Sequence, residues 1–232
     1  MKLELVIHCW KFSRALTYQL SSILLNPPKR VNVALHYFYS PDDAPTVRVL
    51  QFFRDKFYDH SGLAEIPKFP NVSLFGWPQP LQELAQRAIG RNIRCLATQA
   101  DAIWTADADL VFGERCRDSL ADVDWANMVM CYPRKYWISR TKQSGAGCTL
   151  AVADGPRVIG IDPGEFEEGK NDRAIGGMQI FPRHVANRYG YCNDAPKFLQ
   201  PFPDGSWRWA FRSDTRQRLI LKIEYACDGF VR

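Results

Sequence analysis

Two aspartates, Asp107 and Asp109, stand two residues apart directly behind the apolar run Ala102-Ile103-Trp104-Thr105. In extended backbone, alternate residues point to the same side, so both carboxylates can face one point. Such a pair of hard oxygen donors suits a hard divalent cation. Mg²⁺ or Mn²⁺ commonly takes only one or two protein carboxylates and completes its shell with water and phosphate oxygens. Position matters as much as pairing, because open α/β sheets bind ligands beyond the carboxyl ends of their strands. Asp-x-Asp also occurs in plain solvated turns, but here a strand and an amphipathic helix precede it.

The elements that must position this pair are legible on either side of it. Leu3 to Ile7 reads as a buried strand, followed by a helix through Leu16, Leu20, Ile23 and Leu24 that Asn26-Pro27-Pro28 stops. Val31 to Tyr37 reads as a second strand, ended by Ser40-Pro41-Asp42-Asp43. A second helix is expected through Val47, Leu50, Phe53 and Phe57, and a third strand over Val72 to Phe75. A third helix is expected from Leu81 to Ala100. Its apolar face would be Leu81, Leu84, Ala88, Ile89, Ile93 and Leu96, with Gln82, Gln86, Arg87, Arg91 and Arg94 opposite. Strands and helices thus alternate to about residue 130, which predicts an α/β sandwich with a largely parallel sheet. Beyond it, Gly145 to Lys170 reads as loop, Ala174 to Phe181 as a strand, Val185 to Tyr189 as a short helix and Pro196 to Gly205 as a Pro-rich loop.

Composition narrows the class. The chain has 232 residues, 46% of them hydrophobic and 24% charged, which suits a folded domain rather than a disordered segment. No run reaches the roughly 18 apolar residues of a membrane span. The opening Leu3-Glu4-Leu5-Val6-Ile7 is too short and too interrupted for a signal peptide, so a soluble cytoplasmic protein is expected. Seven cysteines, none in a Cys-x-x-Cys pair, read as reduced thiols rather than a zinc site. The net charge of +5 is compatible with an anionic ligand, and the excess is concentrated between Arg183 and Lys222.

The sequence resembles the GT-A nucleotide-sugar glycosyltransferases, most closely the large family 2 group. Three pieces carry the resemblance: Leu5-Val6-Ile7-His8-Cys9-Trp10 with the helix behind it, Arg91-Asn92-Ile93-Arg94 running on to Asp107-Ala108-Asp109, and Ile175-Gly176-Gly177-Met178-Gln179-Ile180-Phe181 followed by Ser213-Asp214-Thr215-Arg216. The resemblance implies one GT-A domain over 1–232: a three-layer α/β/α sandwich, with a Rossmann-like nucleotide-sugar-binding half (1–112) and an acceptor half (113–232). It implies transfer of a sugar, UDP-linked by expectation, to an acceptor hydroxyl with inversion, assisted by Mn²⁺ or Mg²⁺. Asp109 would be the more direct metal ligand and Asp107 would lie near the ribose or the metal. Asp214 is the candidate base, although an N-cap or an ion pair with Arg218 fits it equally. The family's usual Glu-Asp pair is Ser213-Asp214 here.

Other assignments follow from place. Tyr39 could stack on the base and Asp42 accept from a uracil-type N–H, or both could simply form a turn. His8 could touch the nucleotide or be a satisfied polar strand end. Arg91 could pair with the diphosphate or sit on a solvated helix face. Gly176 and Gly177 would let backbone approach a sugar, or form a bulge. His184 could complete the metal shell, although a lone His is more often structural. The alternation Trp207-Arg208-Trp209-Ala210-Phe211-Arg212 admits two acceptor classes, a glycan or a hydroxymethylated base in DNA. The rival reading is a non-catalytic nucleotide- or nucleic-acid-binding module on an α/β scaffold.

Overall fold

The computed structural model describes residues 1–61, 66–133, 135–139, 156–160, 162, 164, 166–170, 177–191, 200–201, 207–208 and 230–231. Its first elements are β1 (Lys2–Cys9), α1 (Ser13–Leu25), β2 (Asn32–Tyr39), α2 (Ala44–Phe57), β3 (Tyr58–Asp59), β4 (Ile66–Pro67), β5 (Val72–Pro78), α3 (Leu81–Leu84), α4 (Arg87–Ala97) and β6 (Ala102–Asp107). There follow β7 (Val111–Phe112), a 3₁₀ turn at Asp118–Asp122, β8 (Lys135–Ser139), β9 (Phe166–Lys170), β10 (Met178–Pro182), α5 (Arg183–Tyr189), β11 (Gln200–Pro201), β12 (Trp207–Arg208) and β13 (Phe230–Val231).

The central sheet runs β10-β6-β1-β2-β5. β6, β1, β2 and β5 are parallel, and β10 lies antiparallel on β6. Alternation along each strand divides the core in two. Leu3, Leu5, Ile7, Leu35, Tyr37, Trp104 and Ile180 pack with Leu16, Leu20 and Ile23 of α1 and Val49, Phe53 and Phe57 of α2. Val6, Phe38, Ile103 and Phe181 face the other way, against Leu84, Cys95, Val185 and Ala186 of α3, α4 and α5. This is the expected mostly parallel α/β/α sandwich. α2 starts where its sequence says it should: Asp43 caps it, accepting from the Thr46 N–H, with Pro45 in the first turn.

Two expectations fail. The region expected as loop up to Lys170 contains β9, which pairs antiparallel with β8. The third helix breaks at Ala85–Gln86, and α4 turns the face expected to be polar toward the sheet. Gly90, Arg91 and Cys95 are buried, whereas Ile93 and Leu96 are exposed. Helical geometry explains it: at about 100° per residue, Ile93 lies roughly half a turn away from both Arg91 and Cys95 within α4. The spacings of three and four did not describe a single stripe. Leu84, Ala88, Arg91 and Cys95 do share a face, and that face packs inward. The sheet surface below is polar, with Glu4, His8, His36 and Asp107 on the α4 side. Arg94 donates to the Glu4 carboxylate through Nη2 at 2.7 Å and Nε at 3.2 Å.

His36 is buried in this layer. Its Nδ1 accepts from the Trp77 indole at 3.0 Å, and its ring stacks on Phe75. Its Nε2 lies 3.7 Å from Glu4, too far for a hydrogen bond, and Glu4 is already held by Arg94. Burial, followed by the Arg94 charge, lowers the His36 pKa from 6.5 to about 3. His8 is depressed well below 6.5 by burial, then by Arg91 and Arg87. Both are therefore neutral when folded and take up protons on unfolding. Stability is complete above about 6.5 and falls as pH drops toward about 3. Melting curves across that window are expected to show a falling Tm, and His36→Gln should flatten the slope whatever its Tm at neutral pH. An unchanged slope would exclude His36 as a source of the acid sensitivity.

Candidate active site

The carboxyl ends of the central strands converge beside Asp107. The register sets His8 opposite Asp107 and Cys9 opposite Tyr39. The chain then leaves β1 through Trp10, Lys11 and Phe12, and Lys11 adopts a positive φ of 56°. The Lys11 N–H donates to the buried Asp43 carboxylate at 2.7 Å, which ties this loop to the start of α2. A cleft of about 390 Å³ opens here, lined by His8, Trp10, Phe12, Arg87, Asp107 and Asp109 among others.

Asp107 ends β6, and Asp109 lies in the turn that follows, so the strand geometry assumed for the pair holds only for the first carboxylate. Both nevertheless line the same cleft. Asp107 Oδ1 accepts from Arg91 Nη2 at 3.0 Å and Arg87 Nη1 at 3.2 Å. Arg91 is buried, and its Nη1 donates to the Tyr191 hydroxyl at 3.1 Å. Burial alone would depress the Arg91 pKa, but Tyr191 and Asp107 outweigh it and raise it, so the cation persists. Arg87 differs in having a side chain 51% exposed, leaving it a face toward the cleft. Gly177 precedes β10 and lies against Asp107, where any Cβ would collide with the carboxylate. Gly90 lets α4 cross closely over β1 and β2, because a Cβ there would lie 2.9 Å from the Phe38 ring. The His8 ring stacks on Phe38 at 4.8 Å, and neither of its nitrogens has a hydrogen-bond partner among the described residues.

The structure thus brings together His8, Arg91, Asp107, Asp109 and Gly177, and it leaves others apart. Arg91 is not on a solvated face but beneath Asp107. Tyr39 packs on the α1 and α2 side of the sheet, its ring against Gly76, while His8 faces α4. Asp42 is exposed in the turn after β2, its N–H 3.4 Å from the Ser40 hydroxyl, and the buried acid of that turn is Asp43. His184 lies at the wrong end of the sheet: β10 runs antiparallel, so Pro182 pairs with Ala102, and the Arg183 N–H donates to the Asp101 carbonyl. At about 3.3 Å per residue, that is some 16 Å from the end of β6, too far to share a cation with the carboxylates. Gly176 and Asp214 lie outside the described residues. Arg87 was missed as a site residue because the helix phase was misread; its signal is the Arg87, Arg91, Arg94 spacing of four and three.

Two carboxylates are hard donors that fit Mg²⁺ or Mn²⁺ but are too few to hold one alone, and among the described residues no group of three or more His, Cys, Asp or Glu could do so. A larger cavity, about 650 Å³, opens near Asn26, Arg30 and Arg117. Of its acids, Asp122 pairs with Arg30 and Asp118 accepts from the Lys29 and Arg30 N–H groups. The described cysteines Cys9, Cys95, Cys116 and Cys131 are buried. No described helix is long and apolar enough to cross a membrane.

Comparison with protein-family models finds no match, and comparison with curated proteins finds no relative. Solved structures do match. S. aureus TarS 1-349 is similar at TM-score 0.55 and 10% identity over 100% of this chain and 60% of its own. Its complex with UDP is similar at TM-score 0.55 and 12% identity. Its complex with UDP-GlcNAc gives TM-score 0.50 and 10% identity. The chain therefore spans about 60% of the length of these TarS chains. At such identities the likeness concerns the fold alone: the chain has a GT-A-like fold.

Proposed function

We propose that this chain is a glycosyltransferase that moves a sugar from a nucleotide-sugar donor, a UDP-sugar by preference, to an acceptor hydroxyl with inversion. One observation carries the reading: two carboxylates and Arg87 line one cleft at the carboxyl end of β6, with the buried Arg91 beneath Asp107. The fold supports it, since matching TarS structures are complexes with UDP and UDP-GlcNAc. Residues 1–112 would form the donor half and 113–232 the acceptor half.

In this reading Asp109 is the main protein ligand of Mn²⁺ or Mg²⁺. Asp107 lies beside it, oriented by Arg91 and Arg87 toward the metal or the ribose. Held by these carboxylates, a divalent cation would supply electrostatic stabilisation of the charge that grows on the departing diphosphate. Arg87, half-exposed in the cleft, would reach the same diphosphate. His8, neutral and against Phe38, would offer a flat surface to the nucleotide, and Gly176-Gly177 would let backbone approach the sugar. Tyr39 and Asp42 remain candidates for the base only through the loop that follows β2. Asp214 is proposed to take the acceptor proton. The acceptor classes are a glycan and a hydroxymethylated base in DNA.

The two arginines offset the two aspartates, so the site alone attracts a cation weakly. Mn²⁺ without nucleotide is expected to leave Tm unchanged, whereas Mn²⁺ with UDP raises it. Asp109→Ala should abolish that joint shift and cut turnover roughly a hundredfold or more, the several kcal/mol a bridging cation contributes. An Asp109→Ala enzyme of full activity would sink the assignment. Asp214→Asn should lower turnover by about 10²–10⁴-fold. UDP affinity measured on the same variant should be unchanged, and undiminished turnover would remove Asp214 as the base.

A further inference from the structure

Asp107 is held from both faces of the sheet. Its side chain is gripped from the α4 side, but its backbone carbonyl points into the α1 side, where Gln19 Nε2 donates to it at 2.8 Å. Gln19 belongs to α1 and is fully buried beside Leu16, Leu20 and Ile23. Its Oε1 accepts from the Tyr37 hydroxyl at 3.0 Å, and Tyr37 is fully buried in β2. Burial pushes the Tyr37 pKa well up, with a smaller contribution from Cys9, so the hydroxyl stays a donor. That fixes the amide: Oε1 must face the tyrosine, which leaves the N–H to the Asp107 carbonyl. The carbonyl's other contact, the Leu110 N–H at 3.3 Å, is longer. A buried amide and phenol are costly unless paired, and here they form a satisfied chain that ends on the carboxylate turn.

We propose that Gln19, oriented by Tyr37, is a positioning residue that sets the Asp107–Leu110 turn so that the Asp109 carboxylate meets the cation of a metal–nucleotide complex. This rests on the metal-binding reading above. The carbonyl of Asp107 defines the peptide plane that leads into Ala108 and Asp109. Holding it at 2.8 Å from the far side of the sheet fixes the direction in which that turn leaves β6. Gln19 touches neither ligand nor metal. Its effect passes through the backbone, as outer partners of metal ligands commonly act.

The test measures UDP affinity by calorimetry with and without Mn²⁺ in the wild-type chain and four variants. Gln19→Met keeps the volume and removes the donor. It should leave UDP affinity without metal unchanged, while the gain produced by Mn²⁺ falls about 10–100-fold. Tyr37→Phe, which frees the amide to rotate, should lose part of that gain. The Gln19→Met, Tyr37→Phe double variant should be no worse than Gln19→Met, because the two act in series. A role confined to packing would lower Tm and leave the Mn²⁺-dependent gain intact. That result in Gln19→Met overturns the proposal, and if Gln19→Met does not fold, a full gain in Tyr37→Phe overturns it equally. Asp109→Ala separates the two ideas. If it keeps the full gain, the metal reading itself fails; if it loses the gain while Gln19→Met keeps it, only the positioning role fails.

Discussion

The buried contact between Arg91 and Asp107 constrains the rest of this fold. A guanidinium with its side chain 5% exposed needs a partner, and the sheet provides one at the last residue of β6. Taking Asp107 away would leave the Arg91 charge buried without its carboxylate, at about 3–5 kcal/mol. Only one rotation of α4 satisfies it. That rotation also carries Arg94 to Glu4 and Arg87 to the rim of the cleft, since the three arginines recur along one helical stripe. It sends Ile93 and Leu96 outward, against their hydropathy. Electrostatics therefore wins over apolar burial in setting the phase of α4, and the glycine at 90 lets the helix approach closely enough for the pairing.

The same contact explains why the carboxylate end of β6 has little freedom. From the α4 side two arginines fix the Asp107 side chain. From the α1 side a buried amide and phenol reach its carbonyl. Gly177 closes the third side, leaving no room for a side chain of its own. Strand β6 thus ends in a turn braced by α4, α1 and the start of β10, elements far apart in the chain. Such bracing is what a site requires if small displacements of a charged group are to matter.

How far the sequence revealed this depended on the kind of signal. Strands β1, β2 and β6 are continuous apolar runs, and α1 and α2 carry caps or proline stops, so their places were readable. The Asp107, Asp109 pair was readable because turn and strand meet there. The phase of α4 was not, because its arginines answer charges on strands remote in sequence, and counting apolar residues ignores them. His184 was misplaced for a related reason: that β10 runs antiparallel to β6 is a property of sheet topology, invisible in the local pattern. Gln19 and Tyr37 gave only a faint sign, a polar residue among Leu16, Leu20 and Ile23, whose meaning depends on a carbonyl 88 positions away.

The charge balance of the cleft follows from this geometry and bears on how it would handle a diphosphate. With Asp107 engaged by two arginines, its negative charge is largely spent within the protein. His8, the remaining titratable group beside them, is kept neutral by burial and by Arg91 and Arg87. A site so balanced is a poor host for a bare divalent ion and an equally poor one for a bare polyanion. In the proposed reading it would suit the two together, with Asp109 toward the ion and Arg87 toward the phosphates. In that reading, co-recognition of ion and phosphate would follow from the same pairing that orients α4.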